Sequence, residues 1–309
     1  MKNTLFIATY HNNPHFIEYQ YKSFKAFIKD EWDFAVIDDS SDDTISILTG
    51  GSAKTEIRNE CHKYGVDLVC VPQSIHAFVE DGGLVPHDAP DVTIHHPSER
   101  HQGCLKWIWN NYKALGFDRY KTLCLLDADA FFRKPINISE YMENYDILGT
   151  ARDQMITIDH VTFPQPQEVL DIAGTRIKFY NLLVLMINMQ TVKNLETFES
   201  RSFIRVTDSG GKSSIFIKNN PQYNFGYLLD AHSPENRVDR VSKISPHTDD
   251  FEIVHYNGGS CWDYQSKDYY QEKMYRMFKR YAPELLSNDL KSVGHSVISK
   301  NGSHTFEKE

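Results

Sequence analysis

Asp127 and Asp129 stand one residue apart at the end of the apolar run Leu123-Cys124-Leu125-Leu126, and Ala130-Phe131-Phe132 follows. Side chains two apart on an extended segment point the same way, roughly 6.5 Å apart, so the two carboxylates can share one hard cation or bracket it through water. A divalent ion held there can neutralise a diphosphate. The run before the pair is predicted to be a buried strand, which puts the acids where a sheet ends and ligands bind. A lone D-x-D is short, and a pair of turn or capping aspartates after a core strand fits it as well.

A second group of residues suits the same chemistry. His255 ends the short apolar strand Ile253-Val254, and its imidazole can complete a transition-metal shell begun by carboxylates. Gly258 and Gly259 follow, small enough for their backbone N–H groups to approach phosphate oxygens. Asp38 and Asp39 close the strand Phe34-Ala35-Val36-Ile37, repeating acid at a strand end. Asn181 interrupts the apolar run Phe179 to Ile187 and is either a satisfied core amide or a site residue. Arg100, His101 and Lys106 lie on the helix that feeds the D-x-D strand. Each either faces the site, Lys106 then toward the donor, or is a solvated charge on an amphipathic face. Ser209-Gly210-Gly211-Lys212-Ser213-Ser214 resembles the end of a phosphate loop, but Val206 stands where the earlier glycine belongs, so it reads as a turn.

The elements that must position these groups alternate. Strand Leu5–Tyr10, a helix carrying Ile17, Tyr21, Phe24 and Ile28, strand Phe34–Ile37, a helix from Thr55 to Tyr64 stopped by Gly65, and strand Val66–Val71 give β-α-β-α-β. Such alternation predicts an α/β fold with a mostly parallel, Rossmann-like sheet and helices on both faces. From Pro72 to Pro97 the periodicity fails and His76, His87, His95 and His96 accumulate, which reads as an acceptor-binding loop or lid. A helix from Glu99 to Leu115 then leads to the D-x-D strand. Strands follow at Tyr145–Thr150 and Phe179–Ile187, and a Tyr- and Met-rich amphipathic helix runs from Ser266 to Leu286. Residues 1–262 read as one domain, 263–300 as a helical extension packed on it, and 301–309 as a disordered tail.

Composition narrows the partners. The chain has 309 residues and a net charge of -9, which argues against a general nucleic-acid binder, since that needs a basic footprint. Its 17 Tyr, 18 Phe and 4 Trp suit core packing and stacking on bases or sugar rings. Five scattered cysteines without a C-x-x-C pair read as reduced thiols in a cytosolic setting. No signal-peptide core opens the chain, and no stretch approaches the ~18 apolar residues of a membrane span.

With these residues in place, the chain resembles a GT-A fold glycosyltransferase. Val36 to Thr44 is similar to the nucleotide-binding segment of family 2 enzymes, Leu125 to Asp129 to the D-x-D, and His255 to Ser260 to a C-terminal metal-binding histidine segment. The resemblance implies a nucleotide-sugar donor, UDP-linked by preference, and a glycan or other hydroxyl acceptor. It places Thr9 and Tyr10 in the base pocket and Asp38 or Asp39 on base or ribose. Asp127 falls on ribose or metal, and Asp129 and His255 hold Mn2+ (or Mg2+) against the diphosphate. Tyr180 to Asn188 is similar to retaining family 8 enzymes, which implies Asn181, with Gln222, near the reacting sugar. The Lys-Pro-Trp expected after the histidine is absent, and Ser260-Cys261-Trp262 stands there. The N-terminal half is more similar to inverting family 2 enzymes, for which Asp153 is the candidate general base. Two other readings use the same acids. One is a haloacid-dehalogenase-like phosphatase, although Phe131 stands where such enzymes carry Thr or Val. The other is a GT-A-like binding protein without turnover.

Overall fold

In the computed structural model the described residues are 2–72, 75, 97–157, 167–203, 207, 210–232, 240–243, 252–255, 274–280 and 282–286. Gly258, Gly259, the four histidines between Pro72 and Pro97, and the 301–309 tail lie outside them.

The N-terminal third folds by the alternation seen in the sequence. Strand β1 (Lys2–Tyr10) leads to helix α1 (His15–Phe27), then to β2 (Trp32–Asp38), α2 (Ala53–Tyr64) and β3 (Asp67–Cys70). Helix α2 begins at Ser52, whose side chain accepts a hydrogen bond from the Thr55 N–H, and ends at Gly65, whose φ of 63° is left-handed. Helix α1 turns inward the face its apolar residues suggest, with Ile17, Phe24 and Ile28 buried, but the buried stripe is wider. Phe16, Ile17, Tyr19, Gln20, Ser23, Phe24 and Phe27 are buried, while Tyr21 is only partly covered. Two polar side chains, Gln20 and Ser23, therefore enter the core.

Helix α3 (Pro97–Asn111) and a short 3-10 turn bring the chain to β4 (Tyr120–Leu126). Next come β5 (Ala130–Phe132), α4 (Ile138–Met142), β6 (Ile147–Met155), α5 (Gln167–Leu170) and β7 (Arg176–Asn188). The described elements continue with α6 (Ser213–Asn219), β8 (Phe225–His232), β9 (Arg240–Lys243) and β10 (Ile253–His255). The ten strands form one sheet in the order β3-β2-β1-β4-β7-β6-β8-β9-β10-β5. Strands β3, β2, β1 and β4 are parallel neighbours, as are β6 and β8, whereas β7 runs antiparallel to both β4 and β6. The fold is thus α/β with a mixed, largely parallel central sheet.

Apolar side chains cover both faces. Helices α1 and α2 pack on one through Phe16, Phe24, Ile57 and Cys61, against Phe6, Val36 and Cys124 of the sheet. Helices α3 and α6 pack on the other through Leu105, Ile108, Trp109 and Phe216. Residues 274–286, where described, add Met274, Phe278 and Leu285 to the α1 face, with the Phe278 ring centroid 4.6 Å from that of Tyr19. Within the stretch expected to be one helix from Ser266 to Leu286, residues 274–280 are helical and Pro283–Leu285 form a 3-10 turn instead. Strands β5, β8 and β9 and helix α6 were not legible beforehand.

The topology has one consequence for ligands. Strand order reverses at β1, with β2 on one side and β4 on the other, so the connections leaving the carboxyl ends of β1 and β4 go opposite ways and leave a crevice between them. The β1–α1 loop and Asp127 both lie there.

Candidate functional site

Strand β4 ends at Leu126, and the next four residues make a tight turn in which the Ala130 N–H donates to the Asp127 carbonyl at 3.0 Å. Asp129 sits inside this turn and is fully buried. The turn is needed because the chain reverses from β4, in the middle of the sheet, to β5 at its far edge. The aromatics after the acids, Phe131 and Phe132, are the buried residues of β5. There β5 pairs with β10 so that Ala130 stands opposite His255. A contact across more than a hundred residues of chain thereby brings the imidazole to the carboxylates.

The three side chains converge. His255 Nε2 is 2.8 Å from Asp129 Oδ1 and 3.7 Å from Asp127 Oδ2. One donor atom from each lies within 4.8 Å of the others. In a shell with metal–ligand bonds of ~2.1 Å, adjacent donors sit roughly 3 Å apart and opposite ones roughly 4.2 Å, so this spacing fits a single ion. Two carboxylates and an imidazole are a mixed O/N donor set of the kind that holds a divalent cation. Access is from the Asp127 side, whose side chain is 30% exposed, against 12% for His255 and 1% for Asp129.

The turn is tied to its neighbours. The Asp127 N–H donates to the Leu183 carbonyl of β7 at 3.0 Å. Leu183 lies one step beyond the last β4–β7 pair, Leu126 opposite Val184, so this bond continues that ladder. On the other side of β7 the β6–β7 register shifts between Gly149, opposite Leu185, and Ala151, opposite Tyr180. Thr150 fills the irregularity, its hydroxyl donating to the Asn181 carbonyl and accepting from the Val184 N–H at 3.3 Å. Asn181 stands two residues before Leu183, the residue that anchors Asp127. From the other side Gln20 reaches the turn. Its Nε2 donates to the Asp127 carbonyl at 2.7 Å and to the Ala130 carbonyl at 2.9 Å, and its Oε1 accepts from the Tyr10 hydroxyl at 2.7 Å.

At the crevice, the β1 and β2 ends are stitched by the Asp39 N–H donating to the Tyr10 carbonyl at 2.8 Å. The Asp38 carboxylate accepts from the Ser40 N–H and hydroxyl. Burial raises its pKa, while those hydrogen bonds and the charges of Lys54 and Arg58 act the other way. Asp39 is 1% exposed. Among the described residues, Thr9 Oγ1, Asn12 Oδ1, Asn13 Nδ2 and both ring nitrogens of His15 are buried with no hydrogen-bond partner. Such atoms are rare in a folded interior, where ordered water or an ion commonly satisfies them.

Other sequence candidates fall elsewhere. Tyr10 is fully buried in the core with its hydroxyl spent on Gln20, which does not match a place in the base pocket. The Lys106 ammonium donates to the carbonyls of Glu196 and Phe198 at 2.8 and 3.3 Å, so it braces the segment after β7 rather than facing a donor. Gln222 donates to Asn220, which also accepts from Asn194. Asn194 follows the β7 end that pairs with Thr122, so Gln222 lies at the opposite end of β4 from Asp127. Asp153 pairs with Arg176 at 3.4 Å and is half exposed. Its β7 partner is Lys178, five residues from Leu183 and so ~16 Å along the strand, too far for a base acting at the D-x-D. The residue missed entirely was Gln20, a polar side chain among the apolar ones of α1.

His101 of α3 lies within electrostatic range of Asp129. Burial lowers its pKa to about 4, and Asp129 works in the opposite direction. Burial alone takes His15 down to about 3. Both rings are neutral in the folded protein, whereas each titrates near 6.5 when unfolded. Below pH ~6.5 the unfolded chain therefore takes up protons the native state refuses. Stability is full above that pH and falls by about 1.4 kcal/mol per pH unit for each ring as the pH drops toward 4. Urea midpoints measured from pH 7.5 to 5 should show this fall, and His15→Gln should flatten it. An unchanged slope in that variant would refute the neutral, buried assignment.

The sequence matches no protein-family model and no curated protein. Its three-dimensional matches over most of the chain are to GT-A glycosyltransferases at low identity. Galactosyltransferase LgtC, solved with donor and acceptor sugar analogs, aligns at 12% identity over 94% of this chain and 99% of its own, with a TM-score of 0.43. Core-mannan synthase A of Aspergillus fumigatus, solved in an Mn/GDP form, aligns at 10% identity over 70% of each chain with a TM-score of 0.43. For the mannosyltransferase Ktr4p of S. cerevisiae the values are 10% and 0.39, over 64% of this chain and 59% of that one, so the chain spans under two thirds of that enzyme. Among the described residues no helix is long and apolar enough to cross a membrane. Cys61, Cys70, Cys104 and Cys124 are free thiols.

Proposed function

We propose that the protein is a metal-dependent glycosyltransferase that moves a sugar from a nucleotide-sugar, UDP-linked by preference, to a hydroxyl of a glycan or similar acceptor. The observation that carries this reading is the convergence of Asp127, Asp129 and His255 at the carboxyl end of β4, beside the point where strand order reverses. A nucleoside diphosphate laid across that crevice has its phosphates at the three ligands and its nucleoside over the β1–α1 loop. The polar residues of the β1–α1 segment, Thr9, Asn12 and Asn13, with Asp39 held beside them through the Tyr10 carbonyl, are the candidates to line the nucleoside pocket. A divalent ion bound by the three ligands supplies Lewis-acid stabilisation of the leaving diphosphate. Asn181, close to the turn, is the better candidate to face the reacting sugar than Asp153, which favours a retaining arrangement.

Calorimetric titration with UDP and with GDP, each with and without Mn2+, tests this. Binding of one nucleotide that requires Mn2+ supports the reading and selects the donor class. No binding of either, with or without metal, overturns it.

A further inference from the structure

All three ligands of the proposed metal site hang on backbone that one side chain holds together. Asp127 and Asp129 belong to the turn between β4 and β5, and His255 is placed by pairing with Ala130, the first residue of β5. Gln20 donates both amide hydrogens to this unit, one to the carbonyl at each end of the turn, Asp127 and Ala130. A carboxamide is the right group for the task, since Nε2 carries two donors in a fixed plane and Oε1 is left to accept. The acceptor side is engaged by the Tyr10 hydroxyl, which sets which end of the amide faces the turn. That hydroxyl is a permanent donor, because burial, with Cys61 and Asp129 adding to it, holds its pKa well above the phenol range. Gln20 itself is fully buried. A polar side chain at an inward helix position is costly to desolvate, and this one has every hydrogen-bonding group matched to the turn or to Tyr10.

The geometry points to Gln20, oriented by Tyr10, as a positioning residue that presets the separation of the two carboxylates and the histidine for a divalent cation. The inference rests on the metal-site reading above. Without the amide, the Asp127 carbonyl keeps the Ala130 N–H, but both carbonyls lose their Gln20 bonds and the side-chain clamp across the turn is gone. Groups that orient metal ligands without touching the ion typically change affinity 10- to 100-fold when removed.

Mn2+ binding to the nucleotide-free protein, followed by calorimetry and by the EPR signal of the bound ion, separates positioning from mere stability. Gln20→Met keeps the volume and removes the amide, and is expected to raise the Mn2+ Kd about 10-fold and broaden the EPR spectrum. Ser23→Ala removes a neighbouring buried hydrogen bond, to the Gln20 carbonyl, that does not reach the turn. It should lower the urea midpoint and leave the Mn2+ Kd unchanged. A folded Gln20→Met protein with wild-type affinity overturns the inference, and loss of Mn2+ binding in Asp129→Ala at the same time keeps the site reading standing. Should Gln20→Met not fold, Tyr10→Phe decides: a Kd raised severalfold supports the inference and an unchanged Kd overturns it. A wild-type protein that binds no Mn2+ removes both.

Discussion

Asp129→Ala is expected to abolish Mn2+ binding while the protein still unfolds in one cooperative urea transition. The carboxylate is the most deeply buried of the three ligands and the closest to His255, at 2.8 Å. Its loss leaves an imidazole and one half-open carboxylate, too few donors for an ion that holds its water tightly. A drop in affinity of at least 100-fold, about 2.7 kcal/mol, follows, and metal-dependent nucleotide binding should disappear with it. The fold should survive because the turn around Asp129 is held by backbone and by Gln20, none of which the substitution touches. Calorimetry with Mn2+ and circular dichroism in urea read the two effects separately. Mn2+ affinity unchanged in a folded variant would end the metal-site reading, and a variant that fails to fold would make Asp129 a structural residue.

The parts of this site that sequence could supply were those written in local pattern. Leu123 to Leu126 is apolar enough to be a strand, so its end, and the acids on it, were legible. The same held for His255 after Ile253-Val254 and for the β-α-β-α-β alternation that fixes the crevice beside β1. What was not legible depends on partners far along the chain. Strand β5 is three residues long and exists because β10 pairs with it, so Phe131 and Phe132 gave no period to read. Helix α1 shows the limit most clearly. Its apolar spacing through Ile17, Phe24 and Ile28 does mark the buried face, yet packing against Phe6 and Phe131 also draws Gln20 and Ser23 inward and leaves Tyr21 only partly covered. A glutamine reads as a surface residue until something inside needs two donors. The reverse error befell Lys106 and Gln222, whose types suit phosphate or sugar but whose bonds go to nearby backbone and amides.

Gly210→Ala is expected to cost about 3 kcal/mol or more. Gly210 has a φ of 87°, left-handed backbone that costs an L-residue about 1–2 kcal/mol. A Cβ there would also lie 2.0 Å from the Tyr180 carbonyl oxygen, a backbone atom that cannot swing aside. Overpacking of this kind adds about 1–3 kcal/mol. The strand that must yield is β7, at the residue before Asn181 and within three of Leu183, whose carbonyl anchors Asp127. The displaced segment is doubly held, because the Tyr180 N–H donates to the Ser213 hydroxyl at 2.8 Å and the Gly210 N–H to the Ser200 carbonyl at 2.8 Å. Gly65→Ala supplies the comparison. Its φ of 63° is also left-handed, but nothing lies within 4 Å of the added Cβ, so it should cost only about 1 kcal/mol. Urea unfolding of the two variants isolates the contact from the dihedral. Equal losses would mean that the 210 loop does not press on β7, and a larger loss at 210, accompanied by weaker Mn2+ binding, would show that strain at Tyr180 reaches the turn that carries the acids.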